Sequence, residues 1–315
     1  MQYRKLGNTG LKVSEISLGS WLTYGNAVEK DTAIKTMDHA YELGVNFFDT
    51  ANVYNRGEAE KVVGEALRRH DRASYVLATK VYFPMSDRPN DSGLSRKHMM
   101  ESAAASLKRL GLDYVDILYC HRFDPETPLE ETLRAFDDLI RQGKILYAGI
   151  SEWTAAQIEQ AARVSDRFLL NHIVVNQPKY NMLHRDIERE VIPVSERNGI
   201  GQVVFSPLAQ GLLTGKYSSV EDVPVDSRAA NSRMNSFIKH DLTRDAVEKV
   251  GRLTAVADSL GIPLTRLALA WILRQPNVAS ALVGASRPEQ IEENVKASGV
   301  ELDRDTLDKI EEALQ

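Results

Sequence analysis

Four residues of this chain could together move a proton. Asp49 sits near the end of the apolar run Asn46-Phe-Phe-Asp-Thr50, and Tyr54 follows five residues later. Lys80 lies near the end of the run Tyr75–Val81, and His121 closes the run Val115–His121. A buried strand gains nothing from a carboxylate unless a cation stands beside it, because an unpaired charge is costly away from water. If the segments carrying Asp49 and Lys80 are neighbours, the two charges pair. A phenol has a pKa of about 10, too high for proton exchange at neutral pH. A nearby ammonium would lower that value, and an imidazole would orient a substrate oxygen. Taken singly, a strand-end Asp is often a cap and a lone His is often satisfied structure. Four such residues at successive segment ends favour an acid–base device able to protonate a developing alkoxide. Cys120, next to His121 on a strand, faces the opposite side and reads as packing.

Something must hold these ends together. Further apolar runs occur at Ile16–Trp21, Ile145–Ser151, Ile173–Gln177, Gln202–Ser206 and Ala281–Ala285. All are continuously apolar, as strands of a parallel sheet covered on both faces should be. Amphipathic segments alternate with them: Asp31 is the expected N-cap of the first, with Gly44 past its end, and Ser95 and Gly111 bracket another. Eight strand–helix units fit a closed (β/α)8 TIM barrel of about 250 residues plus additions. The expected additions are an N-terminal hairpin turning at Asn8-Thr-Gly10, an extra helix Pro263–Gln275 before strand eight, and a C-terminal helix Asp303–Leu314. Residues 1–315 form one expected domain. An open doubly wound sheet is the rival, but no G-x-G-x-x-G follows any strand. A barrel carries its chemistry at the C-terminal strand ends. Those ends read Ser20/Trp21, Asp49, Lys80, His121, Ser151, Gln177, Phe205-Ser206 and Gly284.

Composition narrows the classes. The 315 residues are 43% hydrophobic and 26% charged, with a net charge of −5 and one cysteine. No dense basic stripe suggests nucleic acid. No apolar run approaches the roughly 20 residues that span a bilayer, and no signal-peptide core opens the chain, so a cytoplasmic location without membrane insertion is expected. His98, His121, His172 and His184 show no metal-ligand spacing.

The segments "FFDTANVYNRGEAEKVVGEAL", "VLATKVY", "VDILYCHRFD", "YAGISEW", "VVNQPKYN", "VFSPLAQGLLTGKY" and "LVGASRPEQIEENV" resemble the aldo-keto reductases. The likeness is to the branch of potassium-channel β-subunits and related bacterial reductases. The resemblance implies NADPH-dependent reduction of an aldehyde or ketone on a (β/α)8 barrel. Tyr54 would be the general acid, Lys80 would depress its pKa, Asp49 would hold Lys80, and His121 would orient the carbonyl. It also implies cofactor positions. Gly19, Ser20 and Trp21 would lie beside the nicotinamide, Ser151 and Gln177 at its carboxamide, and Phe205 on its ring. Ser206, Leu208, Gly211 and Lys216 would follow the pyrophosphate. Gly284, Ser286, Gln290, Glu293 and Asn294 would hold the adenosine and its 2′-phosphate, with Arg228 reaching in from the polar stretch Ser218–Asp241, read as a lid. Glu152 and Gln290 stand where many members of the family have Asn and Arg.

The alternative carried by the same resemblance is a cofactor-loaded regulatory module of a membrane channel. His121 speaks for the enzyme, because channel β-subunits typically have Asn there. The expected pocket lining (Trp21, Tyr54, Tyr82, Phe83, His121 and Trp153) is aromatic and neutral, which suits a small carbonyl substrate. An oligomer is compatible with the sequence, although no heptad declares an interface.

Overall fold

The computed structural model describes residues 1–21, 29–221, 223–224, 227, 229–230, 235 and 238–315. Two short strands, β1 (Tyr3–Lys5) and β2 (Lys12–Ser14), pair antiparallel. Eight more run parallel: β3 (Ile16–Gly19), β4 (Phe47–Asp49), β5 (Val76–Val81), β6 (Val115–Cys120), β7 (Ile145–Ser151), β8 (Ile173–Gln177), β9 (Gly201–Phe205) and β10 (Val278–Val283). Neighbours follow chain order, and β10 pairs with both β9 and β3, so the barrel closes. Closure leaves no strand edge unpaired.

Side-chain alternation divides each strand between two apolar layers. Phe47, Val76, Ala78, Ile117, Tyr119, Val175, Val203 and Leu282 fill the inside. Their chain neighbours Phe48, Leu77, Leu118, Cys120, Val204 and Val283 pack outward with the helices. The helices cap as their sequences dictate. In α3 (Arg96–Leu110) Ser95 accepts from the His98 amide and Gly111 turns left-handed at φ 67°. In α5 (Ala155–Phe168) Thr154 and Gln157 form a reciprocal capping box. Asp31 differs from expectation: α1 (Lys30–Glu42) starts after Glu29, and Asp31 lies in its first turn, where a carboxylate favours the positive helix end.

The additions are also redistributed. Two helices precede β10, α7 (Arg244–Ser259) and α8 (Leu264–Leu273). The expected extra helix, α8, packs on β10 as a regular barrel helix. The supernumerary one is α7, which pairs with the C-terminal helix α10 (Arg304–Leu314).

The hairpin closes the N-terminal end of the barrel. Leu6 and Val13 belong to the interior cluster. Arg4 donates to the Val278 carbonyl at 2.9 Å, and the Asn8 amide donates to the Gly199 carbonyl at 2.8 Å. Gly7, at φ 54°, touches the chain so closely that a Cβ would stand 2.4 Å from the Gly199 oxygen. The opposite, C-terminal rim is where the polar residues gather.

One glycine sets the height of the interior packing. Gly149 on β7 pairs with Tyr119 on β6, and a Cβ there would lie 2.5 Å from the Tyr119 ring and 2.9 Å from Val175. Overpacking of this kind costs about 1–3 kcal/mol. Gly149→Ala is therefore expected to lower the urea midpoint by that equivalent. Gly251→Ala on α7, with open space around it, should leave it unchanged or raise it. Equal midpoints for the two variants would refute the packing role of Gly149.

Candidate active site at the C-terminal rim

The interior columns continue upward in steps of two. Phe47 leads to Asp49, Ala78 to Lys80, Tyr119 to His121 and Val175 to Gln177, so four polar side chains cap an apolar barrel core. His121 lies one residue beyond β6, yet its amide still donates to the Val81 carbonyl at 2.9 Å and holds it in line. Asp49 and Lys80 are almost wholly buried and form an ion pair through Asp49 Oδ1. Lys80 Nζ also donates to the Thr50 carbonyl at 2.9 Å. Gln177 Nε2 donates to Asp49 Oδ2 at 2.9 Å, so both carboxylate oxygens are satisfied. Burial pushes the Asp49 carboxyl up and the Lys80 ammonium down, each opposed by its partner's charge.

Tyr54 opens a short 3₁₀ turn directly after this pair. Its ring meets His121 edge to face with centroids 5.7 Å apart, and Lys80 Nζ lies 5.1 Å from its centroid. The Tyr54 hydroxyl is not depressed as expected. Burial and the Asp49 carboxylate raise its pKa well above the ordinary phenol value, with Arg122 opposing. The reason is geometric: Lys80 turns its ammonium to Asp49 and Thr50, so its charge is already answered. The His121 imidazole is held well below its usual value by burial, then by Lys80 and Arg122. It is neutral at pH 7, and its Nδ1 has no hydrogen-bond partner among the described residues. Phe83 stacks edgewise on it at 4.9 Å, Tyr82 lies against Phe83 at 5.2 Å, and Trp153 lies against Phe123 at 4.9 Å.

Most of the residues expected to hold a cofactor follow the ends of β3, β7, β8, β9 and β10. Gly19 ends β3, and Ser20 follows with its amide on the Asp49 carbonyl and its hydroxyl on Thr50 Oγ1, both at 2.9 Å. Trp21 is next, half-buried. Ser151 donates to the Gln177 carbonyl at 2.8 Å. Glu152, at φ 59°, accepts from the Lys179 amide at 2.6 Å. Phe205 ends β9 half-buried.

Beyond Phe205, Ser206, Ala209, Gln210 and Gly211 all have positive φ. Three of these are not glycine, a strain that loops retain where function shapes them. Leu208 leads into that turn, and Lys216 is exposed at its end, 5.4 Å from the Tyr217 ring centroid. Past β10, Gly284 is exposed, and the amide and hydroxyl of Ser286 both donate to Gln290. These residues introduce α9 (Pro288–Val295), where Asn294 is buried. Glu293 is bound by Arg266 at 2.6 Å and Lys296 at 3.0 Å. Arg228 lies outside the described residues, as does much of the stretch Ser218–Asp241. Of that stretch, Ile238 is fully buried and Asp241 pairs with Lys179 at 2.9 Å.

Arg122 was missed in the sequence. Its guanidinium lies 5.6 Å from the Phe83 ring centroid and influences Tyr54, Lys80 and His121, so the aromatic pocket is not neutral. The signal was a cation directly after His121.

Among the described residues no group of three or more His, Cys, Asp or Glu could hold a metal ion. No single described helix is long and apolar enough to cross a membrane. The family model "Aldo/keto reductase family" matches residues 15–315. A protein of Arabidopsis thaliana described as "Probable voltage-gated potassium channel subunit beta" is 46% identical over 320 residues, covering 100% of this chain and 97% of its own. One of Oryza sativa subsp. japonica with the same description is 43% identical over 320 residues, with the same coverage. A barrel with this rim and a family match over nearly the whole sequence place the chain: it belongs to the aldo/keto reductase family of oxidoreductases.

Proposed function

We propose that this protein reduces an aldehyde or ketone to an alcohol, with NADPH as the reductant and Tyr54 as the general acid. The observation that carries the reading is the convergence of the Tyr54 phenol, the neutral His121 imidazole and the Asp49–Lys80 pair on one rim. Bound NADPH would supply the hydride to the carbonyl carbon. As that bond forms, the carbonyl π pair moves onto oxygen, and the proton of Tyr54 Oη neutralises it. A neutral imidazole suits His121 to hydrogen-bond the carbonyl oxygen. The buried Asp49–Lys80 pair fixes the floor beneath both. Gly19, Ser20, Trp21, Ser151, Gln177 and Phe205 would frame the nicotinamide. The loop from Ser206 to Gly211, with positive φ at Ser206, Ala209, Gln210 and Gly211, would run along the pyrophosphate. Lys216, Ser286 and Arg228 would favour NADPH over NADH.

The descriptions of the two plant relatives favour a second reading, in which the same cofactor-loaded barrel serves a potassium channel. NADPH binding without turnover of any aldehyde in a broad panel would favour that reading over the first.

General acid catalysis is worth about 10²–10⁴-fold in rate. Tyr54→Phe should lose that much in single-turnover hydride transfer while NADPH affinity, followed by fluorescence titration, changes little. A variant within a few-fold of the parent would remove Tyr54 from its role. Because the Tyr54 pKa is raised, the acid form persists as pH rises. The reduction rate should show no loss from its ionisation below pH ~10, the ordinary phenol value.

Lys80→Met strands the Asp49 carboxylate in the barrel, and breaking a buried pair costs about 3–5 kcal/mol. Adding Asp49→Asn should recover most of that stability in denaturant titrations without restoring turnover. A double variant no more stable than Lys80→Met alone would count against the pair as the source of the loss.

A further inference from the structure

The charges beneath the aromatic pocket leave a remainder. Asp49 and Lys80 sum to zero wherever their shared proton sits. His121 is neutral and Tyr54 keeps its proton. Arg122 is left over.

Elsewhere in the molecule, partly buried arginines have carboxylates. Arg4 pairs with Glu15 at 2.7 Å, Arg72 with Asp116 at 2.6 Å, Arg109 with Glu60 at 2.6 Å and Arg266 with Glu293 at 2.6 Å. Arg122 departs from this pattern. It is half-buried, donates through Nη1 to the His121 carbonyl at 2.5 Å, and pairs with no carboxylate among the described residues. The nearest acid in sequence, Asp124, is committed to its own loop. It accepts from the Leu94 amide and the Thr127 hydroxyl at 2.7 Å, and from the Glu126 amide at 3.0 Å. A guanidinium carries five N–H donors in a planar fork that matches carboxylate and phosphate oxygens. Here it stands beside Phe83, whose ring is 4.9 Å from His121.

We propose that Arg122 binds an anionic group of the substrate, so that the preferred carbonyl compounds carry a carboxylate or phosphate close to the reducible carbon. The inference rests on the reductase reading above and names its substrate class. An anion placed on Arg122 would also fix the rest of the molecule relative to His121 and Tyr54, which a neutral aldehyde sliding among aromatic rings lacks.

The test compares matched pairs: 4-carboxybenzaldehyde against methyl 4-formylbenzoate, and glycolaldehyde phosphate against glycolaldehyde. The pair with the larger anion preference in the parent protein identifies carboxylate or phosphate. In Arg122→Gln the ratio of kcat/KM for the anionic member to that for its neutral partner should fall about 10- to 100-fold, the scale of one charge-assisted contact. Arg122→Lys should retain part of it. An unchanged ratio in Arg122→Gln overturns the proposal, as does a loss of NADPH affinity in place of the change in ratio.

A second readout does not depend on turnover. Titration of 4-(hydroxymethyl)benzoate against 4-(hydroxymethyl)benzamide, followed by tryptophan fluorescence with and without NADP+, should show tighter binding of the benzoate that disappears in Arg122→Gln. Selective benzoate binding without reduction of any aldehyde would keep the anion site and remove the reductase reading. Reduction of all four aldehydes with no Arg122-dependent selectivity would do the reverse.

Discussion

Two opposite charges buried against each other at the top of an apolar barrel govern this structure. Asp49 and Lys80 have almost no contact with water, and neither could stay there alone, because a lone buried ion loses its hydration without compensation. Their pairing joins β4 to β5. The Gln177 amide completes the carboxylate from β8, the strand diametrically opposite β4 in the ring. One carboxylate thus ties three strands and spans the barrel. Below it, Tyr119 fills the width that Gly149 leaves open. The polar cap and the apolar column under it are mutually dependent.

That dependence changes the part Lys80 can play. A free ammonium beside a phenol would stabilise the phenolate. Here the ammonium is turned to Asp49 and to the Thr50 carbonyl, and the phenol feels burial and the carboxylate more strongly. The local result is a Tyr54 phenol that stays protonated, the form a donor needs, while being a weaker acid than a free phenol. Arg122 is the group that acts on Tyr54 in the opposite sense, and it comes from the loop after β6, not from the strand ends.

Much of this was legible in the sequence because parallel strands buried on both faces leave continuous apolar runs, and polar residues interrupting such runs stand out. Asp49, Lys80, His121 and Gln177 were visible for that reason, and period-two alternation placed Cys120 outward. Where the reading failed, the deciding physics was tertiary. Asp31 lost its capping place because the helix begins two residues earlier. Helix α8 is apolar nearly all round because it is buried against β10, whereas the true addition, α7, carries an ordinary amphipathic pattern that sequence cannot tell from a barrel helix. The direction of the Tyr54 shift depends on where one ammonium points, which spacing along a chain does not encode. Arg122 was passed over because a cation in a loop looks solvent-facing until the aromatic residues around it are placed.

The hairpin under the barrel has a kinetic meaning. With Leu6 and Val13 seated in the interior and Gly7 pressed on Gly199, the floor is sealed, and molecules bound for Asp49, Lys80 and Tyr54 would have to come from the rim. A cofactor and a carbonyl compound meeting there would share that approach. On the proposed function, whichever of the two lay deeper would have to arrive first and depart last, so a sealed floor would turn a random encounter of two partners into a queue.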